Sequence, residues 1–144
     1  MQDLYQEIIL DHYKHPRGKG LLETCTASAH HINPTCGDEV TVQVDTTDPQ
    51  HVQIAYEGQG CSISQASASV LVEQLNNADV ALLRSTTAAF RELMHSKGQA
   101  EPDEDVLGDG VAFVGVAQYP ARVKCALLPW MALMDALDQA TGGV

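Results

Sequence analysis

Hydrophobic positions change their spacing several times along the chain, and each change predicts an element. Leu4, Ile8 and Ile9 recur at helical intervals until His15-Pro16 stops them, which predicts a helix over residues 4–14. Asp3 and Gln6 read as its capping box. Residues 24–32 are polar and partly β-branched, a pattern compatible with an edge strand. Val40, Val42 and Val44 then alternate with Thr41 and Gln43, the period of a half-buried strand. Thr47-Asp48-Pro49 is a turn, and Val52, Ile54 and Tyr56 alternate beyond it, so the two runs form an antiparallel hairpin. Gly58-Gln59-Gly60 ends the alternation. Ile63, Ala66, Val70 and Leu71 restore helical spacing over 62–76. Asp79 is an N-cap for a further helix carrying Leu82, Leu83, Phe90, Leu93 and Met94.

The C-terminal third is less regular. Residues 96–110 are polar, acidic and glycine-bearing, and read as an exposed loop. Residues 111–117 are apolar, but too short for periodicity to decide their type. Pro120 suits the first turn of a last helix, in which Leu127, Trp130, Met131, Met134 and Leu137 share a face. Pro129 lacks an N–H for the carbonyl of Cys125 four residues back, which predicts a kink, or a helix that starts near Pro129. The order of elements predicts an α+β fold, with a small antiparallel sheet packed against helices. A chain of 144 residues fits one domain over 1–144 and has enough core to fold without a metal.

Charge removes whole classes of function. Eight Lys and Arg against nineteen Asp and Glu give a net charge of −11, with no basic run. Phosphate backbones need clustered cations, so neither nucleic acid nor an anionic membrane surface is an expected partner. The acidic excess reads as a solvated face. No stretch approaches the ~18 apolar residues of a membrane span. The N-terminal residues lack a basic region followed by an apolar run, so no signal peptide is expected. The expected location is cytoplasmic, where thiols stay reduced and four cysteines point to metal or sulfur chemistry before disulfides.

Three of those cysteines stand at turns or element starts: Cys36 in Asn33-Pro34-Thr35-Cys36-Gly37-Asp38, Cys61 after Gly58-Gln59-Gly60, and Cys125 in Arg122-Val123-Lys124-Cys125. With Asp38 they form a plausible tetrahedral zinc set. In an extended segment Cys36 and Asp38 project to the same side, and Gly37 lets the backbone bend between them. Helix N-termini beside Cys61 and Cys125 favour thiolate, and Arg122 and Lys124 add positive charge. Compact CxxC pairs are absent, so thiols packed in a core fit the spacing as well. A metal here is open to three readings: structural, cluster precursor, or cap on a reactive sulfur. Cys25 reads as a packed core residue, His30 and His31 as strand or surface residues, and His12 and His15 as partners of the first helix's C-terminus. No Ser/His/Asp arrangement, phosphate loop or paired catalytic carboxylate is present.

Taken together, Asn33 to Asp38, Gly58-Gln59-Gly60-Cys61-Ser62-Ile63-Ser64, Pro120 to Cys125, Leu4-Tyr5 and Asp11-His12-Tyr13-Lys14-His15-Pro16-Arg17 resemble the IscU/NifU N-terminal family, and within it the SufU branch. The resemblance spans nearly the whole chain. It implies a three-stranded antiparallel sheet against about five helices. It also implies Cys36, Asp38, Cys61 and Cys125 as zinc ligands, and Cys36 as the acceptor of persulfide sulfur. Arg122 would act at the zinc site when a PLP-dependent cysteine desulfurase of the SufS type docks, and a desulfurase histidine would replace a ligand. Downstream iron–sulfur assembly proteins are the implied recipients. The alternative is a scaffold for a transient iron–sulfur cluster. Scaffold members carry His-Cys where this chain has Lys124-Cys125, and they place a cysteine between the glycines before Cys61. The longer stretch between Cys61 and Cys125 also matches the SufU branch, whereas Pro129 is unusual within it.

Overall fold

The structure, a computed structural model, describes residues 2–142. The expected domain 1–144 includes Met1, Gly143 and Val144, which lie outside the described residues. The elements are α1 (Gln2–Lys14), β1 (Ala27–Asn33), β2 (Asp38–Asp45), β3 (Gln53–Gln59), α2 (Ser62–Leu75), α3 (Val80–His95), α4 (Glu104–Leu107), a 3-10 segment (Gly108–Gln118) and α5 (Pro120–Thr141), in the predicted order except that α4 and the 3-10 segment stand where a loop and an undecided apolar run were expected. α1 begins at Gln2, so Asp3 lies in its first turn and does not cap it. Asp79 does cap α3, accepting the Leu82 N–H.

The sheet is antiparallel in the order β1-β2-β3. In β2 every second residue is buried, from Asp38 through Val40 and Val42 to Val44. The same alternation on β1 brings Asn33 to the inner face as the cross-strand partner of Asp38. Gly20 donates its N–H to the Tyr56 carbonyl at 2.8 Å and covers the outer edge of β3. β1 is the other edge, as its mixed pattern suggested. His30 and His31 lie on it, bonded to Thr41 and to Asp135 of α5.

α5 lies against β1 and β2, α2 packs beside it, α1 packs on α2, and α3 packs on α5 and the 3-10 segment. Small residues of α2, among them Ala66, Ser67, Ala68 and Ser69, are buried and permit close packing. Trp130 of α5 is fully buried, with its ring stacked 4.4 Å from Phe90 of α3, and Phe113 of the 3-10 segment meets Phe90 edge-on at 5.7 Å. The run over 111–117 is therefore a piece of the core. Gly110, Phe113 and Val116 bury at intervals of three, the period of the tighter helix.

Three expectations are corrected. Residues 96–110 are not wholly an exposed loop, since they contain α4, whose Leu107 is buried, and the start of the 3-10 segment. Gly108 and Gly110 interrupt the apolar positions on either side of them, so Val106 and Leu107 show no clear helical run. Cys25 is exposed rather than packed, because it precedes β1 in an irregular segment. The last helix does not start near Pro129. It runs unbroken from Pro120, with Pro129 inside it.

Proline at 129 still leaves the Cys125 carbonyl without its helical donor. One residue on, the carbonyl of Ala126 accepts the Ser67 hydroxyl at 2.6 Å, and the same hydroxyl accepts the Trp130 indole N–H at 2.9 Å. Tertiary hydrogen bonds thus anchor the helix one residue beyond the point where its own ladder is interrupted. Ser67→Ala leaves the buried Trp130 indole N–H without its partner and removes the extra bond to the Ala126 carbonyl. It should cost about 2 kcal/mol in urea unfolding, since each buried orphan costs about 1–3 kcal/mol.

Candidate metal centre

The site is assembled from three separate places in the fold. Residues 34–37 form the turn between β1 and β2, and Cys36 is exposed on it. Gly37 has φ +71°, a left-handed conformation that glycine adopts without a Cβ clash. The turn, rather than the extended backbone expected from spacing, brings Cys36 and Asp38 together. Cys61 is the N-cap of α2 and is half-buried. Cys125 is buried and lies in the second turn of α5. The positive end of a helix is felt within its first turn, so it does not act on Cys125 as expected from sequence.

Distances bring the four side chains together. The Cys36 and Cys125 sulfurs are 3.5 Å apart. Ligand atoms of Cys36, Asp38 and Cys125 all lie within 4.8 Å of one another. The Cys61 sulfur is 3.7 Å from Asp38 Oδ2. Two thiolates on one tetrahedral zinc, with Zn–S bonds of ~2.3 Å, stand ~3.8 Å apart. A disulfide would need ~2.05 Å. Two sulfurs and a carboxyl oxygen are already gathered at a spacing that suits one zinc ion, and the Cys61 sulfur, beside Asp38 Oδ2, is the adjacent candidate for a fourth donor.

Asp38 is fully buried, and its Oδ1 accepts the Cys61 N–H at 2.7 Å. That bond satisfies a free amide at the start of α2 and orients the carboxyl group, leaving Oδ2 turned to the sulfurs. Gly60 makes the contact possible. A Cβ there would lie 2.2 Å from Asp38 Oδ1, at a backbone φ of +149°. Ser64 lies behind Cys61, with its hydroxyl 3.8 Å from the sulfur. Burial pushes the Cys125 thiol up, and hydrogen bonds with Asp38, Cys36 and Cys61 add to the shift. A divalent cation among these donors reverses that preference by rewarding the thiolate.

The cationic residues stand at the rim. Arg122 is exposed in the first turn of α5, with its guanidinium 5.1 Å above the Tyr119 ring. Lys124 is exposed, whereas Cys125 next to it in sequence is buried. Tyr119, Arg122, Ser62 and Ile63 also line a groove that runs between α1 and the 3-10 segment.

Sequence reasoning missed a second polar cluster. His12 lies in the last turn of α1, as expected, but it is fully buried. Its Nδ1 lies 2.7 Å from Ser69 Oγ and its Nε2 lies 2.8 Å from Asp109 Oδ2. Ser69 also accepts the Arg17 N–H, and the Arg17 side chain pairs with Glu73 at 3.1 Å and Asp11 at 2.7 Å. The cluster ties α1 and α2 to the 3-10 segment. Its partners are 57 and 97 residues from His12, so no local pattern could have signalled it.

Fold and site define an α+β protein with a three-cysteine, one-carboxyl centre at the joint of a hairpin and two helices. A family model described as the NifU-like N terminal domain matches residues 4–126. The chain belongs to that family. It is 38% identical over 144 residues to the zinc-dependent sulfurtransferase SufU of Bacillus subtilis (strain 168), covering 99% of this chain and 95% of that protein. It is 34% identical to the iron–sulfur cluster assembly scaffold protein IscU of Thermotoga maritima, covering 94% of each. Among solved structures, a putative iron–sulfur cluster assembly scaffold protein for the SUF system from Fervidobacterium islandicum AW-1 superposes with a TM-score of 0.79 at 36% identity, covering 94% of this chain and 98% of that one. A nitrogen-fixing NifU-like protein from Brucella abortus reaches 0.84 at 28% identity, covering 99% and 98%. No helix among the described residues is long and apolar enough to cross a membrane.

Two variants check this geometry. Gly60→Ala should displace Asp38 and weaken zinc by about 10–100-fold in competition with a chelating dye, the usual scale for loss of a ligand's support. His12→Ala should leave zinc binding intact and lower stability by about 2 kcal/mol in urea, through its unpaired partners.

Proposed function

We propose that this chain is a zinc-dependent sulfur acceptor, which takes persulfide sulfur from a PLP-dependent cysteine desulfurase of the SufS type. It then passes the sulfur to iron–sulfur assembly proteins in the cytoplasm, as a single domain over 1–144. The observation that carries the reading is the inequality of two neighbouring sulfurs. Cys36 is exposed on a turn, and Cys125 is buried in a helix 3.5 Å away. One thiol can reach a partner while the other stays fixed.

Cys36, Asp38, Cys61 and Cys125 would hold the zinc ion, which keeps their sulfurs deprotonated when bound. Everything else falls to the chain. The 34–37 turn carries the Cys36 thiolate out to the terminal sulfur of the desulfurase persulfide. Cys36 attacks that sulfur, the S–S bond to the desulfurase cysteine breaks, and that cysteine leaves as thiolate. Sulfur now rides on Cys36 as a persulfide. Arg122, exposed at the rim and three residues before Cys125, is placed to stabilise the anionic sulfur as it moves. Asp38 keeps its hold on Cys61, so the rest of the centre stays assembled while Cys36 is away.

A cluster scaffold is the second reading, favoured by the three cysteine donors and by the likeness to IscU. Lys124 stands against it, since an ammonium is no metal ligand and the side chain is exposed. Purified protein should hold one zinc without iron or the brown absorption of a cluster. A bound cluster with no zinc would establish the scaffold reading instead.

Cys36→Ala should abolish stimulation of the desulfurase, followed as alanine release. Mass spectrometry of the unaltered protein after turnover should find extra sulfur on Cys36. Full stimulation by the variant would remove the mechanism. Arg122→Ala should retain zinc yet lower stimulation roughly 10–100-fold, the equivalent of one charge-assisted hydrogen bond of about 1.5–3 kcal/mol.

A further inference from the structure

The loop that carries Cys36 is closed at both ends by buried polar side chains. Asn33, the last residue of β1, is 8% exposed, and its cross-strand partner Asp38 is 0% exposed. Asp38 reaches Cys61. Asn33 reaches the other cysteine-bearing element: its Nδ2 lies 3.8 Å from the Cys125 sulfur. The orientation of the amide follows from its surroundings. The Thr35 N–H donates to Asn33 Oδ1 at 3.3 Å, which assigns the oxygen to the loop and leaves the NH2 group facing sulfur. The Asn33 carbonyl also accepts the Cys36 N–H at 3.3 Å. A single residue therefore shapes the turn that presents Cys36 and donates to the sulfur of Cys125.

We propose that Asn33 is a positioning residue that determines which sulfur stays on the metal, its N–H···S bond retaining Cys125 and leaving Cys36 free to depart. The proposal rests on the sulfur-acceptor reading above and deepens it. A donor beside a thiolate stabilises the charge and lowers its drive to attack an electrophile. Cys125 has that donor, whereas Cys36, on the exposed turn, has the Cys125 sulfur as its partner. Burial alone would slow the approach of reagents to Cys125. The amide adds a preference that persists when the loop opens, because Asn33 belongs to a paired strand and not to the turn.

Asn33→Asp is the discriminating variant. It keeps an acceptor for the Thr35 N–H at nearly the same shape, removes the donor and sets a negative charge beside the Cys125 sulfur in its place. Zinc affinity should fall about 10–100-fold in chelator competition. Iodoacetamide applied to the zinc-loaded protein, with modified peptides mapped by mass, should label Cys36 first and spare Cys125 in the unaltered chain. In the variant both should be labelled over the same interval. A folded variant with unchanged affinity and labelling order overturns the proposal. If the variant does not fold, the unaltered protein decides. Loaded with 113Cd, it should show a scalar correlation between the Asn33 side-chain amide proton and the metal, carried through the Cys125 sulfur. Absence of that correlation, when the cysteine β-protons do correlate with cadmium, overturns the role of Asn33 and leaves the metal centre standing. Absence of every correlation overturns the metal centre, and the role of Asn33 with it.

Discussion

A buried carboxyl group is the joint on which this site depends. Asp38 ends the row of inward positions on β2 and has no contact with solvent. Burying such a group is costly unless its oxygens are bonded. One oxygen is bonded by the first amide of α2, and the other faces sulfur. That bond joins hairpin to helix and aligns Cys61 with the turn bearing Cys36. It also accounts for Gly60, where a side chain would occupy the place of the carboxyl oxygen.

Around this joint the molecule separates a buried part from an exposed one. Cys125 is carried by a helix whose Trp130 stacks on Phe90 and bonds to Ser67, deep in the core. Cys36 is carried by a four-residue turn in solvent. Sulfur transfer requires this division, since one ligand must leave while the others keep their places. A purely structural zinc site gains nothing from an exposed ligand, and a core of this extent does not need a metal staple.

Much of the fold was legible because its signals are local. The alternation of Val40, Val42 and Val44 identifies a half-buried strand, and Asp79 identifies a helix start, from a few adjacent residues. Where local signals conflict, tertiary packing decided. Pro129 argues for a break in the last helix, yet that helix runs through it, anchored nearby by Ser67 and the stacked Trp130. The run over 111–117 has no readable period because it is buried in the core as part of a 3-10 segment. Cys25, apolar by type, is exposed because nothing in its irregular segment directs it inward. His12 was read from its place near a helix end, but partners far along the chain place it in the core.

The sequence by itself determined the order of elements up to α3 and the last helix, the α+β class, and the small group of cysteines and one aspartate from which the candidate site was drawn. It did so because periodicity, caps and turn residues act over a few positions. Only the tertiary structure decided that Cys36, Asp38 and Cys125 converge within 4.8 Å with Cys61 beside Asp38, which of them is buried, and that Asn33 joins them. Those facts depend on strand register and on how α5 lies across the sheet. Both are set by the packing of residues distant in sequence, which no local pattern encodes.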